Sequence, residues 1–78
     1  MYTIELDFVL DSADELGAWL AEYAPGVSGR VLDPIGPAGG NAVVELRAAS
    51  YVDLAAAITV YDGGGGDAEY LLSLVRAV

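Results

Sequence analysis

Apolar and polar side chains alternate along residues 2–10. One set points to one side of the chain, and its members are Tyr2, Ile4, Leu6, Phe8 and Leu10. The opposite set is Thr3, Glu5, Asp7 and Val9. A period of two is typical of a strand with one buried face. The pattern therefore predicts a first strand here, with its acidic side chains turned to solvent.

Residues 11–26, DSADELGAWLAEYAPG, change to the helical period. Apolar side chains recur at i, i+3, i+4 and i+7, as Leu16, Trp19, Leu20 and Tyr23. Ser12 followed by Glu15 is a capping box, and Pro25-Gly26 ends the helix. Gly17 lies inside the helix, where we expect a close approach to the sheet.

Two apolar segments, 27–35 and 42–48, predict a second and a third strand joined by the glycine-rich loop 36–41. Pro34 has no amide proton to donate, so the second strand lies at a sheet edge or ends early. In the third strand one set of alternating side chains faces the core, and its members are Ala42, Val44, Leu46 and Ala48.

Residues 50–64, SYVDLAAAITVYDGG, repeat the cap, apolar face and stop of residues 12–26. Each half of the chain is then strand–helix–strand. This predicts an α+β two-layer sandwich, the ferredoxin-like β-α-β-β-α-β arrangement with a four-stranded antiparallel sheet. Because ITVY alone favours a strand, the alternative is β-α-β-β-β-α, with a strand over 57–61 and a C-terminal helix over 67–78.

In the preferred arrangement, residues 70–77 form an edge strand that is apolar on both faces. A long apolar edge pairs with another chain unless something covers it. The sequence therefore predicts a homodimer or partner interface along this edge. Its expected members are Leu71, Ser73, Val75 and Ala77.

Four glycines stand at 63–66, between Asp62 and Asp67. A Walker loop would end in Lys and Ser or Thr, and a dinucleotide loop would open a helix; this segment follows a predicted helix instead. Its expected role is a left-handed helix stop and a turn into the last strand. Asp62, Asp67 and Glu69 lack the register of a calcium loop, so no metal is expected.

The charge distribution is strongly acidic, with twelve acids against three basic residues and a formal net charge of −9 over 78 residues. This length predicts a single domain, residues 1–78. Phosphate contacts need several Arg or Lys side chains, so the expected partner is a basic protein and not a nucleic acid. With neither a basic leader nor a membrane-length apolar run, we expect a cytoplasmic protein without membrane contact.

Catalytic side chains are scarce. General acid–base catalysis relies on His, Lys, Cys or a tuned carboxyl group, and the chain has no His, Lys or Cys. Ser12 and Ser50 are explained as helix caps. The open sheet face is expected to carry cross-strand ion pairs among Glu5, Asp7, Glu45, Arg47 and Arg30. Neither an enzymatic activity nor a cofactor is expected.

Carboxylates on the helices and their loops form the predicted partner-binding surface. Spaced carboxylates on a rigid scaffold can imitate a phosphate backbone and occupy a basic nucleic-acid channel. The proposed members are Asp11, Asp14, Glu15, Glu22, Asp53, Asp62, Asp67 and Glu69.

In size and charge the chain resembles the small anti-defence proteins of phages, including anti-CRISPR proteins. The resemblance implies an inhibitor whose target is a guide-RNA effector complex, blocked from its DNA. Two alternatives remain: a small dimeric regulatory or ligand-binding domain, and a structural assembly subunit.

Overall fold

A computed structural model of the chain describes residues 1–10, 14–33 and 40–78. The elements in chain order are β1 (Tyr2–Leu10), α1 (Asp14–Tyr23), β2 (Ser28–Asp33), β3 (Gly40–Ala48), α2 (Tyr51–Asp62), α3 (Ala68–Leu72) and β4 (Arg76–Ala77). The strands form one antiparallel sheet in the order β2-β3-β1-β4. This is the ferredoxin-like topology, and the predicted α+β fold class is confirmed.

The core lies between the sheet and the two long helices. The even-numbered side chains from Ile4 to Leu10 and from Ala42 to Ala48 are buried, and they lie opposite one another, as Ile4 does to Leu46 and Leu6 to Val44. The predicted alternation of both strands is therefore confirmed. Full burial of each large aliphatic side chain stabilises the fold by about 1.5–3 kcal/mol. From the helices the core receives Leu16, Leu20, Leu54, Ala57 and Ile58.

Residues 51–62 are helical throughout, so the alternative strand over 57–61 is wrong. Gly63 ends α2 in the left-handed conformation, at φ 60°, which confirms the predicted helix stop. Ser50 stands at the N-cap of α2, but its side chain makes no capping hydrogen bond. The predicted cap Ser12, Pro34 and most of the loop 36–41 lie outside the described residues.

The close approach between helix and sheet is at Gly29, not at Gly17 as the sequence suggested. A β-carbon on Gly29 would lie 3.0 Å from Leu20 and 3.1 Å from Leu46. One on Gly17 would meet nothing within 4 Å, and Gly17 is exposed. Helix α1 therefore packs against a glycine that belongs to the strand β2.

The C-terminal segment differs from both predictions. Residues 68–72 form a short helix, and β4 is only two residues long, paired with Tyr2 and Thr3. Neither an edge strand over 70–77 nor a helix over the whole of 67–78 is present. The burial pattern gives the reason, because the partly buried side chains follow the helical spacing i, i+3, i+4 and i+7: Ala68, Leu71, Leu72 and Val75.

This correction changes the geometry of the predicted strand-edge interface. Leu71 lies in α3, Ser73 follows that helix, and Val75 precedes β4. Only Ala77 belongs to a strand. The four residues therefore do not form one strand edge.

Candidate functional site

Strand β1 has an outer edge that β4 covers only at its first residues. In an antiparallel pair the backbone groups of alternate residues point to the same side. The carbonyl of Met1 accepts the Val78 amide at 2.9 Å, and the carbonyl of Asp7 accepts the Tyr61 hydroxyl at 2.5 Å. The odd-numbered residues of β1 thus direct their backbone groups outward. Beyond Thr3, no described strand pairs with this edge.

An open groove of about 560 Å³ lies beside the second half of this edge. Its other wall is formed by the end of α2, the tetraglycine loop and α3. Two apolar side chains in the groove are largely exposed, Val9 at 77% and Tyr70 at 65%. The lining residues are Asp7, Phe8, Val9, Tyr61, Asp62, Gly65, Asp67, Tyr70 and Leu71.

The carboxylate of Asp62 organises the loop beneath the groove. One of its oxygens accepts the Gly66 amide at 3.2 Å, and the other accepts the Asp67 amide at 3.1 Å. Gly63, Gly64 and Gly66 all have positive φ, a conformation that side chains disfavour. The tetraglycine segment is thus a turn folded around Asp62, and it leads into α3, not into a strand.

Tyr61 joins α2 to the edge of β1. Its ring packs on Phe8 with centroids 5.0 Å apart, and its hydroxyl donates to the Asp7 carbonyl. Burial, and secondarily the charge of Asp7, raises the pKa of Tyr61 above its usual value of 10.0. The hydroxyl therefore stays protonated, and remains a donor, to a higher pH than the hydroxyl of an ordinary tyrosine.

The open face of the sheet, which is the face away from the two long helices, carries all three arginines. Glu45 accepts hydrogen bonds from Arg30 on β2 and from Arg47, two residues along β3, each at 3.1 Å. The predicted cross-strand ion pairing is therefore confirmed for Arg30 and Glu45, whereas Arg47 pairs within its own strand and Glu5 lies opposite Glu45. Arg76 shares this face, because its partner in the register is Thr3, which also lies opposite Arg47. Thr3 is only 3% exposed, and its hydroxyl has no hydrogen-bond partner among the described residues.

The carboxylates predicted to bind a partner fall at both ends of the sheet. Asp14 and Glu15 begin α1 just after β1 ends, and Asp62 is at the end of α2 that contacts the same part of β1. Asp67 and Glu69 follow in the loop and α3. Glu22 and Asp53 are at the other end, where a β-carbon on Gly26 would lie 2.9 Å from an Asp53 oxygen. Asp11 lies outside the described residues.

The groove was not predicted from the sequence. The sequence pattern places Asp7 on the solvent side of the sheet and Tyr70 in an edge strand, and it predicts no contact of either residue with Tyr61. The helical spacing of Ala68, Leu71, Leu72 and Val75 is the signal that would have placed α3 beside β1. Among residues 1–10, 14–33 and 40–78, no three metal-ligating side chains converge.

Comparison of the chain with protein-family models, with curated proteins and with solved structures gave no significant match. In the part of the chain that the structure describes, none of the helices has the length and apolar character needed to traverse a membrane.

Proposed function

We propose that this protein is a non-catalytic binding domain that engages a basic protein partner through its helical side. The observation that carries the proposal is the segregation of charge across the two layers. The helices and the α2–α3 loop contain no basic residue and hold Asp14, Glu15, Glu22, Asp53, Asp62, Asp67 and Glu69.

The basic residues, by contrast, are confined to the sheet, and Glu45 pairs with two of them. The negative field of the helical layer is therefore not compensated locally. A layer of one sign attracts a partner of the opposite sign and accelerates its approach.

The partner class that best fits such a surface is a protein that handles nucleic acid. Its basic channel is built for phosphates, and a rigid acidic layer can occupy that channel in their place. The protein would then be an inhibitor of the phage or mobile-element type, acting in the cytoplasm. A guide-RNA effector complex, as for an anti-CRISPR protein, is the specific target to test.

The test measures binding to purified guide-RNA effector complexes at low and high NaCl, with target-DNA binding by the same complexes followed in parallel. The test variant is Asp14→Asn with Glu22→Gln, on the helical side. The matched control is Glu5→Gln with Asp33→Asn, which removes the same charge from exposed residues of the sheet.

We expect binding that competes with DNA, weakens steeply with salt, and is reduced by the helical pair only. Absence of binding to the complexes would refute the inhibitor assignment. An equal loss of binding in both double variants would refute the helical side as the contact surface.

A second function, as an assembly subunit, is favoured by the solvent side of α2. Val52, Ala56 and Val60 stand four residues apart on this helix and are exposed, Val52 at 73%. An apolar stripe on an outward helix face is typical of a packing surface. Sedimentation velocity tests it: self-association that Val52→Gln with Val60→Gln abolishes would support assembly, and a monomer at high concentration would exclude it.

A further inference from the structure

We infer that the groove between β1 and α3 binds an arginine side chain of an extended segment. This inference rests on the proposed function, because it names the point at which a basic partner would be held. The contributing elements are the outer edge of β1, the loop folded around Asp62, and the exposed ring of Tyr70.

The carboxylates of the groove have two different roles. Asp62 is occupied by the amides of Gly66 and Asp67, so it fixes the shape of the wall. Asp67 stands at the N-cap of α3, yet its side chain makes no capping hydrogen bond. Asp7 and Asp67 are both exposed, and they are the acceptors available to a cation entering the groove.

The aromatic and apolar lining suits a long cationic side chain. Tyr61 and Tyr70 present rings over which a guanidinium can lie, and Val9 and Leu71 can contact its methylene groups. Arginine is preferred over lysine, because its planar guanidinium is more weakly hydrated and donates in a fork to carboxylates. The volume of about 560 Å³ admits one such side chain with part of its own backbone.

The edge of β1 gives the bound segment its direction. Val9 lies two residues after Asp7 in β1, so its amide and carbonyl point to the same side, outward into the groove. No described strand pairs with them. A segment laid along this edge would form backbone hydrogen bonds to Val9 and extend the sheet locally. The Asp7 carbonyl already accepts a hydrogen bond from the Tyr61 hydroxyl, so a bound segment can pair with the strand over only a short stretch. Selectivity for the segment therefore comes from its arginine side chain.

The probe is a blocked tripeptide, Val-Arg-Val, titrated into the isotope-labelled protein and followed by the chemical shifts of its backbone amides. The matched control peptide has citrulline in place of arginine, which keeps the shape and removes the charge. We expect saturable shifts at Val9, Gly65, Asp67 and Tyr70 with the arginine peptide only.

Three variants locate the site. Asp67→Asn is expected to lower the affinity for the arginine peptide by about fivefold, which is the upper end for an exposed ion pair. Tyr70→Ala is also expected to lower this affinity. Asp53→Asn makes the same charge change at the other end of the sheet and should leave the affinity unchanged. Equal weakening by Asp53→Asn and Asp67→Asn, or equal binding of the citrulline peptide, would overturn the inference.

Failure here is distinguishable from failure of the proposed function. If the protein binds a basic partner but the arginine peptide does not change the chemical shifts of the groove amides, only the arginine site is contradicted. If the arginine peptide changes the chemical shifts of the groove amides but the protein binds no effector complex, the arginine site is supported and the inhibitor assignment is contradicted.

Discussion

Gly29 is the residue at which α1 and the sheet come closest, and it has no space for a larger side chain. The nearest atoms belong to Leu16, Leu20 and Leu46, and Leu46 is fully buried. We expect Gly29→Ala to lower the free energy of unfolding by about 1 kcal/mol, because one added methyl group must displace packed leucine atoms.

Gly17→Ala is the matched control for this prediction. The site is helical and open, so alanine should raise the free energy of unfolding by about 0.5–1 kcal/mol. Urea unfolding followed by circular dichroism measures both. A Gly29→Ala protein as stable as the parent would show that α1 can shift outward without cost.

Thr3 has a buried hydroxyl without a described partner. A buried polar group without a hydrogen bond costs about 1–3 kcal/mol. Thr3→Val keeps the shape and removes the hydroxyl, so we expect a higher free energy of unfolding. Thr3→Ser keeps the hydroxyl and should lose stability. A less stable valine variant would mean that the hydroxyl has a partner in solution.

Tyr61 makes stability depend on pH in the alkaline range. Its pKa is raised in the folded state, so the folded chain retains this proton after the unfolded chain has released it. The stabilisation is complete below the unfolded pKa of about 10 and is lost as pH rises through the folded value.

We expect Tyr61→Phe to remove this alkaline component and to cost about 0.5–1.5 kcal/mol at neutral pH through the lost bond to Asp7. Denaturant unfolding between pH 7 and 11 measures both effects, with Tyr23→Phe as the control on an exposed tyrosine. An unchanged alkaline decline in Tyr61→Phe would assign the decline to other groups.

At the scale of elements, the α2–α3 connection and α3 take the place of a full-length edge strand. Strand β4 is two residues long, and Tyr61, Leu71 and Leu74 lie beside β1 where a longer strand would pair. A covered edge resists pairing with other chains. These side chains flank residues 5–7 of β1, whereas the edge at Val9 stays open to the groove.

The α2–α3 connection depends on one carboxylate. Asp62→Ala removes acceptors from two amides, so the loop should open and the free energy of unfolding should fall by about 1–2 kcal/mol. Hydrogen exchange at Gly66 and Asp67 should accelerate more than exchange in β3. Asp67→Asn, whose side chain caps nothing, is the control. Unchanged exchange at these amides would contradict the role of Asp62.

The sequence predicted the elements whose period is unmistakable. The alternation in β1 and β3 and the internal repeat of α1 in α2 were sufficient for the topology. The C-terminal segment was ambiguous, because Tyr70–Val75 is apolar at both strand and helical spacings. The groove depends on that placement, and it also depends on a contact between Tyr61 and Asp7, 54 residues apart. Local pattern carries no information on a contact of that range.

At the scale of the whole molecule, the net charge of −9 works against the fold. Like charges on one compact domain repel, and salt screens that repulsion. We expect the urea midpoint to rise between about 20 and 500 mM NaCl. The Asp14→Asn, Glu22→Gln variant should show a smaller rise. A midpoint that falls with salt would indicate that the ion pairs of Glu45 outweigh the repulsion.

The hydrogen bond between Met1 and Val78 places these two residues side by side, next to the first residues of β1. A short peptide linker could therefore join them into a covalent ring without rearranging the sheet. Cyclisation would prevent the two-residue strand from fraying and would reduce the conformational freedom of the unfolded chain. The groove lies at the far end of β1, so a ring closed at this point would leave it open.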